Sequence, residues 1–424
     1  MNNCSQLKIL INRNDIRVIV LSMFLFSTMC FRNDNNLNQL LIFGIIVIIC
    51  SFLLLLSQGL SLKTILSNKA FLWIFSFFSL YELYGFFYIR MGYFNWDLKF
   101  FTLVSLASII FLLSGTDDTE KVFYILTKAC IISLIAASVY MYIKGDLTLS
   151  FNSINFGNRI GDSLTGNVNT TAVNFGLLSF VVFYSLIKDK KNRFVKIIVC
   201  FISAIVMLFT GSKKAIIVMI FSLLLWQKIS KKSYKYLIVP LALGVGVYMI
   251  FTIPALYNTI GYRLLDAFAT FGFGEAVSSY QSTQIRSSFI TLGFKSFLKV
   301  PIFGGGVNYF QYINNVYSYS HNNYIELLNT FGILGFALYY VPVIKLLKLN
   351  IINSNYEKTT SNEGLSTFFV YFIILQLVLD IGMVSFAGSG LGFLAYIIPM
   401  ICSQKGNALN SLTTNSISAK KMKH

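Results

Sequence analysis

His321 is the one internal histidine of a 424-residue chain; the other, His424, is the last residue. It stands in SHNNYIELLNTFGILGF (320–336), where a polar lead-in meets an apolar run with helical spacing. Histidine titrates near neutrality and is the common general base. The positive end of the following helix favours the neutral, proton-accepting imidazole. A histidine that merely hydrogen-bonds at a polar boundary is the plainer alternative. Asn323 and Glu326 have the spacing of a capping box, cap residue to third helical residue. Asn322 and Glu326 lie four apart, share a helical face and could also order a site.

Cations supply the complementary chemistry. TGSKKA (210–215) holds Lys213 and Lys214, the only charges between Lys196 and Lys228. Paired cations at a helix start suit a diphosphate or another anion; a solvated turn whose lysines reach to lipid headgroups is the alternative. Arg286 leads into 287–300, where Phe289, Ile290, Phe294, Phe297 and Leu298 fall at helical spacing with Lys295 and Lys299 between them. That pattern resembles an interfacial amphipathic helix. An arginine holds phosphate oxygens with a planar fork, although taken alone Arg286 reads as a headgroup contact. Pro301 stops the helix, and GGG (304–306) predicts a flexible turn or a close backbone approach to a ligand. Glu82 and Asp380 lie within apolar runs, where acids are functional candidates. They are expected either to pair with the cations or to touch water at a helix end.

The elements that must position these residues are helices in a membrane. The chain is 56% hydrophobic and 12% charged, about half the charged share of a soluble domain. Apolar runs of spanning length recur from end to end. The fold class is all-α polytopic membrane protein with roughly twelve transmembrane helices, one integral membrane domain over 1–424. The spans centre near 16–31, 39–57, 70–89, 98–114, 122–143, 171–187, 195–210, 214–227, 236–255, 323–344, 366–385 and 389–403.

The net charge of +18 reads as the positive-inside bias, with no nucleic-acid motif beside it. KDKKNRFVK (188–196) and KISKKSYK (228–235) are the most basic loops and are expected in the cytoplasm, which puts both termini there as well. About 23 basic and 7 acidic residues then lie inside and 11 and 9 outside. Two long segments face outward, 144–170 and 256–322; the second carries Arg286 and His321. The external turn 210–215 and the outer ends of the runs holding Glu82 and Asp380 fall at the same level.

Six cysteines (Cys4, Cys30, Cys50, Cys130, Cys200 and Cys402) are scattered without a CxxC pair, so neither a disulfide framework nor a metal site is expected. Lys8, Arg13 and Arg17 precede an apolar run without a small-residue cleavage site, which reads as an uncleaved first helix. No glycine-rich nucleotide loop, DxD, HExxH or Gx[SC]xG is present. No cofactor is expected, and a site facing outward does not meet cytoplasmic ATP or nucleotide sugars.

Taken in order, TGSKKAIIVMIFSLLL, RSSFITLGFKSFLKVPIFGGGVNYF and SHNNYIELLNTFGILGF resemble the O-antigen ligase / O-antigen polymerase (Wzy-type) superfamily of bacterial envelopes. The first is similar to that family's T-x-S-R segment. The second is similar to its arginine, amphipathic helix and Pro-x-x-G-x-G run. The third is similar to its H-N-x-[YF]-[LI]-E…G-[IL]-x-G signature. GNVNTTAVNFGLLSF (166–180) is similar to its Asn-rich lead into a helix.

The resemblance implies a GT-C-like, metal-independent glycosyltransferase at the outer face of the bacterial inner membrane. Its donor is an undecaprenyl-diphosphate-linked oligosaccharide. Its partners are membrane lipids and, in a polymerase, flippase and chain-length regulator proteins. Carried over, His321 is the base on the acceptor hydroxyl and Arg286 holds the diphosphate. Lys213 takes the other arginine position, with Lys214 sharing the task; Asn322, Tyr324 and Glu326 belong to the substrate site. Lysine keeps the charge without the bidentate fork.

The turn with a second basic residue favours a polymerase of repeat units for O-antigen or capsule. The alternative is a ligase moving glycan to lipid A-core or protein. A lipid-linked oligosaccharide flippase is a rival of another class, but it would line a central cavity with charges from many helices. A non-catalytic scaffold would tolerate loss of His321.

Overall fold

The computed structural model describes residues 13–31, 37–58, 67–87, 96–116, 118–145, 159–230, 234–270, 280–356, 364–387 and 390–404. These are almost wholly helical: α1 (Arg13–Cys30), α2 (Leu37–Gln58), α3 (Lys69–Phe87), α4 (Trp96–Ser114), α5 (Thr119–Ile143), α6 (Val168–Lys188), α7 (Arg193–Phe209), α8 (Lys213–Ile229), α9 (Lys235–Thr252), α10 (Tyr262–Thr270), α11 (Tyr280–Phe297), α12 (Asn323–Tyr356), α13 (Leu365–Asp380) and α14 (Leu391–Gln404). A helix overlies each of the twelve expected spans. By length and composition, α3, α5, α6 and α12 can cross a membrane, and a fifth span exists if Tyr236–Thr252 and Pro254–Asp266 count as one. That pair bends by 87°, because Pro254 cannot donate to the ladder that α9 would otherwise continue. The other helices over the expected spans fall short of that test among the described residues: α1 carries Arg13, Asp15 and Arg17, α7 and α8 have 17 residues each, and the described apolar stretches of α2, α4, α13 and α14 are shorter than 18 residues. The basic tail, Cys4, 271–279 and most of 144–158 lie outside the described residues.

α6 is the most enclosed of the candidate spans, with 78% of its spanning window buried. It stacks on α13 through Tyr184 and Phe368, with ring centroids 4.4 Å apart at 18°. A second aromatic cluster joins α3, α12 and α14: Phe77 meets Tyr339 at 4.9 Å, Trp73 meets Phe393 at 5.8 Å, and Trp73 Nε1 donates to Tyr339 O at 3.2 Å. The described cysteines are all free.

α12 is not one straight helix. Gly332 breaks it at φ 65°, ψ −164°, a conformation open essentially to glycine alone. The broken turn frees backbone groups, and the GGG segment takes them up. Gly305 N–H donates to Asn329 O (2.8 Å) and Gly306 N–H to Thr330 O (3.1 Å); Ile333 N–H donates to Pro301 O (2.8 Å) and Leu334 N–H to Ile302 O (3.3 Å). The close approach expected of GGG is therefore to another backbone. α11 starts at Tyr280, before the expected 287–300, and ends at Phe297 just ahead of Pro301. One face of it packs inward through Phe289 against Phe310 (5.5 Å). The other leaves Ile290, Phe294 and Leu298 exposed.

Candidate functional site

A cavity of about 350 Å³ opens where the first residues of α6 and α8, the first part of α11 and the lead into α12 converge. His321, Arg286, Lys214 and Glu326 line it together, although Lys214 lies more than a hundred residues before His321 in sequence. Asn167, Asn169 and Thr170 at the α6 start line the opposite wall, and 382–387 after α13 closes a side.

His321 sits in the left-handed region at φ 57°, which non-glycine residues rarely adopt. Its neighbours hold it there. Nε2 lies 3.1 Å from Ser318 Oγ, and its ring stands 4.2 Å from that of Tyr319. Burial first, then the charges of Arg286 and Lys214, push its pKa down to about 4. At neutral pH the imidazole is therefore uncharged and has a lone pair to offer.

Glu326 anchors this loop. Its Oε2 accepts from Ser320 N–H at 2.9 Å and lies 2.7 Å from the Ser320 hydroxyl. The capping box expected between Asn323 and Glu326 does not form. Asn322 is the cap, accepting from Ile325 N–H at 3.1 Å, because α12 begins at Asn323, one residue earlier than that pairing requires. Asn323 turns inward instead: its Oδ1 accepts from Ser385 N–H (2.7 Å) and Phe386 N–H (3.1 Å). Asp380, at the end of α13, is fully buried and does not touch water. It accepts from Gln376 Nε2 (2.7 Å), Tyr340 Oη (2.9 Å) and Tyr396 Oη (3.2 Å). Asn323 and Asp380 thus fix the turn 381–387 that walls the cavity.

The other expected site residues divide. Lys214 lines the cavity, whereas Lys213 is half-buried beside it and lies in the fields of Arg286, Asp266 and Arg263. The chain turns into α8 through Gly211 in the left-handed region (φ 62°). Arg286 is exposed at the rim. Tyr324 points away: its hydroxyl donates to Leu377 O at 2.7 Å and its ring stacks on Tyr340 at 4.9 Å. Asn322 is occupied as the cap. Both carboxylate oxygens of Glu82 are buried without a hydrogen-bond partner among the described residues, away from the cavity lining.

Sequence reasoning passed over Arg159, the only cation between Lys144 and Lys188. Its Nε donates to Thr210 O (2.6 Å) and an Nη to Asn169 Oδ1 (3.1 Å). It ties the lysine turn to the Asn-rich lead into α6, where Asn167 caps the helix through Asn169 N–H (2.9 Å). Gln311 of the long loop also lines the cavity. A lone cation in a polar segment was the available signal for Arg159; Gln311 had none.

Comparison with known proteins places a family on this region. Residues 198–340 match the family model described as O-antigen ligase, consistent with the O-antigen ligase / polymerase superfamily that the motifs resemble. The match takes in the lysine turn, Arg286 and the His321 loop. No curated protein matches the chain.

Proposed function

We propose, from the match to the O-antigen ligase family, that this chain is a membrane-embedded polysaccharide polymerase. It joins undecaprenyl-diphosphate-linked repeat units at the outer face of the bacterial plasma membrane. The observation that carries the reading is the single cavity lined by a neutral histidine and two cations, inside the matched segment.

The chemistry balances on these groups. An acceptor sugar hydroxyl attacks the anomeric carbon of the donor, a C–O bond forms, and the bond to the lipid diphosphate breaks. The electron pair leaves with the diphosphate oxygen. Arg286 and Lys214 stabilise that developing charge, as cations held in place at a reacting centre do. The proton passes to His321. With Nε2–H donating to Ser318 Oγ, Nδ1 is the accepting nitrogen. Energy resides in the donor linkage, so no nucleotide is required. Twelve membrane crossings with both termini in the cytoplasm belong to this reading. It is supported by α6, which carries the cavity at one end and leads at its other end into the most basic loop, 188–196.

A ligase acting on the same donor is the second reading, favoured by the description of the matched family. The purified chain in detergent, given lipid-diphosphate repeat units and no nucleotide, separates the two. A ladder of lengthening glycan is expected. Transfer onto lipid A-core or protein without a ladder would replace the polymerase by the ligase, and no transfer at all would count against both.

A further inference from the structure

At the end of the bundle opposite His321, a second cavity of about 490 Å³ lies between the start of α5, the end of α6 and the turn into α7. Five lysines line it: Lys121, Lys128, Lys188, Lys191 and Lys196. Two of them are held by carboxylates. Lys196 is 4% exposed; its Nζ donates to Ser185 O (3.2 Å) and Asp189 O (3.2 Å) and pairs with Asp189 Oδ2 at 3.4 Å. Lys121 pairs with Asp118 at 3.8 Å. Those two aspartates are further engaged by backbone, Asp118 by Lys121 N–H and Asp189 by Lys191 N–H. Lys128, Lys188 and Lys191 have no ion-pair partner among the described residues, and they face one remaining carboxylate of the lining, Glu120. The Lys128 ammonium rests 4.4 Å from the centre of the Tyr124 ring.

This cavity continues into an apolar groove. A space of about 380 Å³ between α1, α5 and α7 shares Lys128, Ile131 and Asn192 with it. Val18, Ile19, Ile132 and Val195 form its walls, with Asp15 at its rim. Ile19 (53%), Ile132 (46%) and Val195 (42%) are exposed. A cationic chamber at the level of a membrane surface, opening sideways into an apolar channel along helices, has the two-part shape of a phospholipid. Basic pockets between membrane helices take anionic headgroups in this way.

We infer that this end of the bundle holds an anionic diacyl phospholipid of the surrounding bilayer. Its phosphate lies among Lys128, Lys188 and Lys191, and an acyl chain lies along Ile19, Ile132 and Val195. The site is separate from the transfer cavity, which occupies the far end of α6. A soluble anion would use the lysines alone; the adjoining groove is what selects a lipid.

The test is native mass spectrometry of the full chain in neutral detergent, titrated with phosphatidylglycerol, cardiolipin or phosphatidylcholine. Anionic lipid is expected to bind at least about tenfold more tightly than phosphatidylcholine. At about 1 kcal/mol for each lysine near the headgroup, the combined change Lys128→Gln, Lys188→Gln and Lys191→Gln is expected to weaken it roughly a hundredfold. Ile132→Trp, which fills the groove and leaves the charge intact, is expected to weaken the same lipid severalfold. Lys190→Gln, outside the lining, controls for a general charge effect and is expected to bind as the parent does. Equal binding of phosphatidylcholine, retention by the triple variant, loss in Lys190→Gln equal to that in the triple variant, or no effect of Ile132→Trp would each overturn the inference. So would inorganic phosphate displacing the lipid at equal concentration, which would assign the lysines to a free anion.

Discussion

His321 has a depressed pKa because it is buried next to two cations that repel a proton. The consequence for pH is opposite to the habit of histidine enzymes. A base works when unprotonated, so the acid limb of kcat/KM is expected near pH 4 in place of about 6.5. Bound diphosphate brings negative charge and raises the imidazole pKa, so the limb of kcat is expected to lie higher than that of kcat/KM. A kcat/KM profile falling through pH 6.5 would show that the titrating group is another or that the histidine lies elsewhere. Between the lysines, Lys214→Ala is expected to cost more than Lys213→Ala, by about tenfold or more in turnover at saturating donor, since Lys214 faces the cavity. Equal losses would contradict that division. The residue types were legible in the sequence: histidine, cations and asparagines. Their orientation was not. It depends in part on α12 starting at Asn323, which makes Asn322 the cap and aims Tyr324 at α13.

Helix positions followed from hydropathy because apolar runs of fixed length leave little choice. The breaks did not, since each is sustained by a partner distant in sequence. The gap in α12 exists because 301–306 satisfies its backbone, and neither segment can hold its shape without the other. Gly332→Ala meets both a forbidden backbone region and the carbonyl of Ile302. Gly304→Ala meets Thr330 O at φ 73°. Each is expected to destabilise the protein by about 2–3 kcal/mol or more, read as a fall in thermal midpoint in detergent and weakened transfer. As a control, Gly244→Ala in α9, with open space around it, is expected to hold the midpoint or raise it slightly, because alanine favours helix. Unchanged midpoints for Gly332→Ala and Gly304→Ala would remove the clamp from the account.

Across the whole molecule, α6 separates two chemically different ends. Its 21 residues give about 31 Å of helix, close to the hydrocarbon thickness of a bilayer. If the basic 188–196 turn is cytoplasmic, the His321 loop lies outside. Tyr317→Cys, at a position 96% exposed in that loop, is then expected to react with a membrane-impermeant thiol reagent in intact cells. Lys190→Cys is expected to react only after permeabilisation, and the reverse pattern would invert the orientation. The central claim is that the cavity joining His321, Arg286 and Lys214 is where the lipid diphosphate is displaced. It is tested most directly by following release of undecaprenyl diphosphate from purified protein in a single turnover. With the parent chain, release is expected without nucleotide. His321→Ala is expected to slow it by about a hundredfold or more, and Arg286→Ala comparably, with unchanged thermal midpoints. Release at the parent rate from both variants would contradict the claim.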